Sequence, residues 1–382
     1  MRAVSAFRVL YYLATFLVAA GASYLVFSKA YALASGYADG YVSDEIYYVD
    51  TARRILQRVF GAQLDYYSYS GSTADDYFNL EHPPLGKYIV ALSMVVCGDK
   101  PLCWRLPSVL EASLIPLLLY FTYAAVRHPL GPLAGAVAAL AASSDPTLYR
   151  VGSVALLDTH LAFFTALSLA FAVHGRYVAS ALFAGLALSV KISGSGTLLG
   201  YMLSLHRVEG GRRLVLVAVA LAVVAAVVAV VHLPLALHFG PQKVVVETVN
   251  AVKWHTTSRP PDGPPHSSPL GWVLNENPFP LSFYPVPVKA ELNTAVHLVA
   301  LAYSVYVVVA GLLWGLRDRE LTAPLYYAGA TLAYWSAYVA GNRTLYSFYA
   351  IQLTPLAAAV IAELALRAYR LIEGEQPPPK PT

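Results

Sequence analysis

Val9-Leu-Tyr-Tyr-Leu-Ala-Thr-Phe-Leu-Val-Ala-Ala-Gly-Ala-Ser-Tyr-Leu-Val-Phe27 carries no charged residue. A helix needs about 20 such residues to cross the hydrocarbon core of a bilayer. Arg2 and Arg8 precede the run, as they would in a secretory signal, but a signal's apolar region is about 7–15 residues long. No small-residue cleavage site follows, and further apolar stretches do. The run therefore reads as the first of several membrane spans.

Working outward, the remaining stretches of this kind lie near 104–126, 130–146, 213–238, 291–314, 321–341 and 345–368, with the first extending over 7–29. A shorter one covers 159–173. The region 177–205 divides at Lys191-Ile-Ser-Gly-Ser-Gly196, because Gly and Ser weaken a helix and a lysine prefers an interface to the bilayer centre. The expectation is an all-α polytopic membrane protein of about ten transmembrane helices, one membrane-embedded domain over 1–382. Composition agrees: 57% of the residues are hydrophobic and 13% charged, against roughly a quarter charged in soluble domains. A formal net charge of +4, scattered along the chain, gives nucleic acid no basic patch to bind. Cys97 and Cys103 allow one disulfide and no framework.

Arginine placement orients the chain. With the N-terminus cytoplasmic, the short inner loops hold Arg127, Arg176, Arg207, Arg212, Arg213, Arg317 and Arg319, and the C-terminal end adds Arg367 and Arg370. The short outer connections hold Arg150, Lys191 and Arg343. The positive-inside rule then puts both termini in the cytoplasm and both long loops, 30–103 and 239–290, outside. The first loop is acidic, with Asp44, Glu45, Asp50, Asp65, Asp75, Asp76 and Glu81; the second is rich in Pro, Ser and aromatics and carries His255, His266 and Trp272. Tyr88–Val96 is too short to span and follows Pro83-Pro84, so it reads as a juxtamembrane helix. The tail over 371–382, Pro-rich at its end, reads as solvated and disordered. No internal repeat of the transporter kind is visible.

Two motifs carry chemistry. Ser43-Asp44-Glu45 precedes helical periodicity running from Ile46 to Val59, so Ser43 or Asp44 could simply cap that helix. Capping explains one acid and leaves the other, and a carboxylate pair at a membrane surface can accept a proton or hold a metal. Glu81-His82-Pro83-Pro84-Leu85-Gly86-Lys87 is a stiffened loop in which Gly86 permits close approach and Lys87 supplies a cation. Either Lys87 snorkels or it binds. Arg105, Arg150, Lys191 and Arg343 all fall on the outer side against the charge bias, and a bound phosphate would justify them. Asp158 lies near the same surface, where a salt bridge to Arg150 or a neighbouring cation is the plain alternative.

Asp44-Glu45, His82-Pro83-Pro84-Leu85-Gly86-Lys87, Arg105-Leu-Pro-Ser108, Arg150 with Leu156-Leu157-Asp158, and the Lys191 turn together resemble the protein O-mannosyltransferase family. Its wider group, the GT-C glycosyltransferase superfamily, includes aminoarabinose transferases acting on lipid A. The similarity covers about 7–200, with weaker echoes to 355. It implies inverting transfer of a sugar, usually mannose, from a polyprenyl or dolichyl phosphate to a Ser or Thr hydroxyl of a protein. By resemblance Asp44 is the candidate base, with Glu45 its alternative, and Lys191 holds the donor phosphate. Glu81, His82, Lys87, Arg105, Arg150, Arg343, Tyr346 and Tyr349 complete the expected substrate-binding set. The aminoarabinose relatives place acids matching Asp44 and Asp158 around a metal, so a divalent cation is the one cofactor to consider. Family members often pair, so a homo- or hetero-dimer is an expected assembly. Two departures stand out: the loop 239–290 is too short for the β-trefoil domain of the eukaryotic enzymes, and Phe348 stands where the family often has histidine. Two rivals follow: the same fold acting on a lipid or glycan acceptor, and a transporter, which would need facing mid-membrane charges.

Overall fold

The computed structural model describes residues 2–37, 40–63, 65, 73–74, 76–208, 210–257, 263–283, 287–314 and 321–373. Asp75, Arg317, Arg319, the tail from 374 onward and the side chain of Arg207 lie outside the described residues.

The chain is helical almost throughout. A long α1 (Arg2–Gly36) leads to α2 (Glu45–Arg54), which ends in a π-turn over Ile55–Val59. Then come α3 (Leu85–Cys97), α4 (Pro101–Ala124), α5 (Gly131–Ser143), α6 (Pro146–Val151), α7 (Leu157–Val173) and α8 (Tyr177–Val190). The second half holds α9 (Ser195–Ser204), α10 (Gly210–Phe239), α11 (Pro241–His255), α12 (Pro269–Val273), α13 (Thr294–Trp314), α14 (Thr322–Val339) and α15 (Leu353–Ile372). Two short antiparallel strands, β1 (Pro280–Ser282) and β2 (Val288–Lys289), lie in the second long loop.

Every stretch read as a span contains a helix, and among the described residues five segments are long and apolar enough to cross a membrane: Ala6–Gly36, Pro101–Ala124, Gly210–Phe239, Thr294–Leu313 and Ser347–Ile372. The others are shorter apolar helices packed inside the bundle. α7 is central, with Leu157, Leu161, Ala162, Ala166 and Leu169 fully buried. α10 is the reverse. It packs mainly on α8, and Leu214, Val215, Val230, Leu233 and Leu237 are exposed. Apolar residues on all sides of a helix need a lipid solvent.

Three boundaries differ from the sequence reading. α1 continues to Gly36, so the first long loop begins after residue 36 and not at 30. Ala30 and Ala34 are buried there against Val109 of α4, which holds the helix beyond its most apolar part. The last apolar segment opens at Ser347 and not at 345, and its first six residues, Ser347–Gln352, form a 3₁₀ turn before α15. α15 also continues to Ile372, past the start of the proposed tail. The break near Lys191 is present as expected, with α8 ending at Val190 and a 3₁₀ turn, Ile192–Gly194, before α9. Small residues make it possible. A Cβ on Gly196 would meet Ala330 Cα at 2.8 Å and one on Gly200 would meet Tyr326 Cα at 2.6 Å, so α9 and α14 cross at backbone contact.

Candidate active site

Asp44 occupies the N-cap position of α2, yet its side chain makes no capping bond. Ser43 before it has a left-handed backbone, φ 55°, with its hydroxyl buried and without a partner among the described residues. Strain of this kind persists only where surrounding structure fixes it, and it collects at functional sites. Glu45 does the fixing. Its carboxylate is fully buried and receives Arg105 through two bonds of 2.8 Å, the Val42 amide at 2.8 Å and the Ala155 amide at 2.8 Å. Arg105 in turn donates to the carbonyls of Ala34 and Gly40 and lies 5.2 Å over the Tyr37 ring. This ion pair ties the start of α2 to the end of α1, to α4 and to the strand-like stretch before α7.

The rest of the first loop is held by similar ties. Asp50, Arg53, Arg54 and Asp99 form a buried charge network that includes Tyr41 and Trp104. The Cys97–Cys103 disulfide closes the adjoining turn. Of the acids that gave this loop its charge, Asp50 is thus structural.

The Asp44 carbonyl accepts from the Tyr47 and Tyr48 amides, but its carboxylate has no hydrogen bond or ion pair among the described residues, and the residue is half-buried. Burial pushes its carboxyl up to about 6, Lys191 pulls it down and Asp158 pushes it further up. Those two residues therefore lie close enough for their charges to act on it. Lys191 Nζ bonds both Asp158 oxygens, at 2.8 and 2.9 Å, and sits 3.9 Å over the Tyr349 ring and 5.5 Å over Phe348. Asp158 is in the first turn of α7, and Lys191 has an extended backbone, φ −154°, between two helices. An aromatic wall stands beside them: Tyr349 stacks on Tyr334, and Trp272 of α12 meets both edge-on at 5.0–6.3 Å. The second loop is fastened to this wall by Ser267 N to Leu345 O and by Ser347 Oγ, which bonds Phe279 N and Ala290 O.

Tyr48, one turn along α2 from Asp44, faces the same space. Burial raises its hydroxyl well above the usual range, and Asp44, Asp158, Tyr349 and Tyr77 add to this. Its ring meets His82 edge-on at 5.9 Å, and His82 lies 5.8 Å from His255 at the end of α11. Both long loops thus contribute to one cluster. Tyr48 and Trp272 were not among the expected site residues; α2 periodicity gives Tyr48 no polar signal, and Trp272 shows only as an aromatic in a loop.

The other expected residues are placed as follows. Glu81 accepts from Tyr77 Oη and from Asn79 Nδ2 at 2.9 Å. Lys87 does not snorkel. It is fully buried, donating to the carbonyls of Asn79 and, at 2.7 Å, His82, and burial lowers its amine to about 7. Gly86 permits the close approach its position suggested, since a Cβ there would meet Leu157 Cδ2 at 2.6 Å. Arg150 pairs with Glu291 at 2.5 Å and bonds Lys289 O. Arg343 is exposed over the Tyr338 ring at 4.2 Å. Tyr346 packs on Phe279 and Phe348. The four cations therefore do not converge: Lys191 pairs with Asp158 beside Asp44, Arg105 is spent on Glu45, and Arg150 is engaged with Glu291.

A divalent ion would find Asp44 and Asp158 here, but both Asp158 oxygens are held by Lys191, and no cluster of three His, Cys, Asp or Glu occurs among the described residues. As arranged, the donor set suits a counter-ion to lysine better than a metal cage.

Over residues 81–238 the chain matches the family model for dolichyl-phosphate-mannose-protein mannosyltransferase. No curated protein matches it. Among solved structures it is similar to ArnT from Cupriavidus metallidurans bound to undecaprenyl phosphate, with TM-score 0.55 and 17% identity, covering 97% of this chain and 63% of that one. It is also similar to the archaeal oligosaccharyltransferase AglB from Archaeoglobus fulgidus in complex with an inhibitory peptide and a dolichol-phosphate, with TM-score 0.54, 13% identity, and coverage of 96% and 52%. An Archaeoglobus fulgidus oligosaccharyltransferase tethered with an acceptor peptide gives TM-score 0.56 at 14% identity, covering 97% of this chain and 51% of that one. The chain thus spans less than two-thirds the length of these structures. In fold the chain is similar to these membrane transferases, and its stretch over 81–238, less than half of its length, matches the mannosyltransferase family model.

Proposed function

We propose that this chain is an inverting glycosyltransferase that moves a sugar, mannose by the family match, from a polyprenyl-phosphate carrier to a Ser or Thr hydroxyl at the extracytoplasmic face. The observation that carries the reading is Asp44: a half-buried carboxylate without a hydrogen bond among the described residues, lifted to about 6, beside a buried Lys191–Asp158 pair. An acid in that state is a base poised near neutral pH.

In the proposed step the acceptor oxygen attacks the anomeric carbon as its proton passes to Asp44. The bond from that carbon to the phosphate oxygen breaks, and its electron pair leaves with the lipid phosphate. Lys191 has three N–H donors and commits two to Asp158, so one remains for the departing phosphate. Asp158 holds the lysine ammonium in place, which is preorganisation of the kind that stabilises developing charge. Tyr349, backed by Trp272 and Tyr334, gives the sugar an aromatic surface. Glu45 acts through Arg105 and the Ala155 amide as a positioning residue, and Glu81 and Lys87 shape the loop below Tyr77. No step is routed through a metal.

A second reading, transfer to a lipid acceptor, is favoured by the likeness to ArnT bound to undecaprenyl phosphate. One experiment separates the two. Purified protein is incubated with radiolabelled dolichyl-phosphate mannose, and label is followed into peptide and into lipid. Label in a Ser/Thr peptide supports the first reading, label in lipid alone the second, and label in neither, across mannose and aminoarabinose donors, sinks both.

A further inference from the structure

Between α1 and the second long loop lies a cavity of about 420 Å³, lined among others by Lys29, Leu33, Tyr149, Arg150 and Val288. It is not the Asp44 site. The charges acting on Asp44 are those of Lys191 and Asp158, whereas Arg150 acts on Tyr37, behind the Glu45–Arg105 pair.

The lining has two characters. Lys29 Nζ and the Arg150 guanidinium both approach the Tyr149 ring, at 4.8 and 5.8 Å. A single carboxylate, Glu291, pairs with Arg150, so two cations face one acid and the cavity stays positive. Leu33, Val288 and Pro287 make the remainder apolar. Below the mouth, α1 exposes Tyr24 (70%) and Leu25 (43%) one turn before Lys29, on a helix apolar enough to span a bilayer. A ligand seated here meets cations at one end and a lipid-facing surface at the other.

We propose that this cavity binds the phosphate group of an anionic amphiphile, its charge against Lys29 and Arg150 and its apolar body along α1. Phosphate suits a lysine and an arginine held together, because each donates charge-assisted hydrogen bonds to its oxygens. The proposal stands on the cavity and needs no transfer chemistry.

The test uses the full chain in phosphatidylcholine nanodiscs, with retained lipid counted by native mass spectrometry as phosphatidylglycerol is added. The expected result is selective retention of phosphatidylglycerol. Lys29→Gln weakens it on the order of tenfold, as the loss of one charge-assisted contact does, and Lys29→Arg restores it. Lys29 is exposed and buries no partner, so its variants fold; Arg150→Gln is a second variant, read only where its thermal midpoint is unchanged. An inorganic phosphate arm distinguishes the sources: displacement of the lipid means the phosphate group alone is recognised, and persistence means the whole amphiphile is. Equal retention of both lipids, or unchanged phosphatidylglycerol retention in folded Lys29→Gln, overturns the proposal.

Discussion

Asp44 and Glu45 are neighbours with opposite circumstances, and exchanging each for its amide separates their roles. Glu45→Gln removes the negative charge facing Arg105, which is fully buried and has two of its bonds on that carboxylate. Breaking one side of a buried pair costs about 3–5 kcal/mol, because the partner charge stays behind without compensation. The amide also replaces one acceptor by a donor, so of the Val42 and Ala155 amides it can satisfy one. A loss of about 3 kcal/mol is roughly two orders of magnitude in the ratio of folded to unfolded chains. Asp44→Asn is the reverse. Its carboxyl is raised by burial to about 6, so the folded state holds its proton more tightly than the unfolded chain does. That group favours folding below the unfolded pKa, near 4, and the benefit is lost as pH rises through about 6. At neutral pH the ionised acid is therefore a burden, and Asn relieves it by about 1–2 kcal/mol. The assay is thermal unfolding in detergent alongside transfer per folded molecule. Expected are a lower midpoint with measurable turnover for Glu45→Gln, and an equal or higher midpoint without turnover for Asp44→Asn. An inactive but fully stable Glu45→Gln, together with an active Asp44→Asn, would refute the assignment of base and anchor.

Transfer per folded enzyme should rise with pH around a midpoint near 6, since the base works only when ionised; a flat profile from pH 5 to 7 contradicts the role of Asp44. Lys191→Met leaves the fully buried Asp158 unpaired and should cost about 3–5 kcal/mol. Lys191→Met/Asp158→Leu should recover much of that midpoint while polyprenyl phosphate retention, read by native mass spectrometry, stays lost. Gly86→Val drives a side chain into Leu157 Cδ2 and should destabilise by about 1–3 kcal/mol, with a higher donor KM because Leu157 adjoins Asp158; Gly86→Ala should show a smaller version of both in the same assays.

What the sequence makes legible is local. Apolar runs mark the helices, Pro83-Pro84 marks the start of α3, Gly86 marks a contact, and Lys191 among Gly and Ser marks a break; each follows from a few adjacent residues. The pairings are not local. Glu45 meets Arg105 sixty positions on, and Arg150 meets Glu291 across 141. Charge counting shows four cations on one side and suggests one anion site, but it cannot assign partners, and three of the four have carboxylates of their own. Tyr48 and the Trp272–Tyr334–Tyr349 wall join elements far apart in the chain, and aromatic residues in a membrane protein are too common for composition to single them out. Helix limits failed where packing extends a helix, as in α1, or where main-chain geometry changes type, as before α15.

Gln352 has a further consequence. Its side chain reaches the carbonyl of Ser193 in the Lys191 turn and the hydroxyl of Thr197, while Tyr349, three residues earlier, supplies the ring under the lysine ammonium. The turn sits at mid-sequence, yet the groups that quiet its exposed carbonyl and cradle its cation come from the 3₁₀ segment before α15, 159 positions on for Gln352. Without Tyr349 and Gln352 the Lys191–Asp158 pair would keep its partners yet lose the ring beneath the ammonium and the amide that holds the turn, so the cleft is finished only where the two halves of the sequence meet.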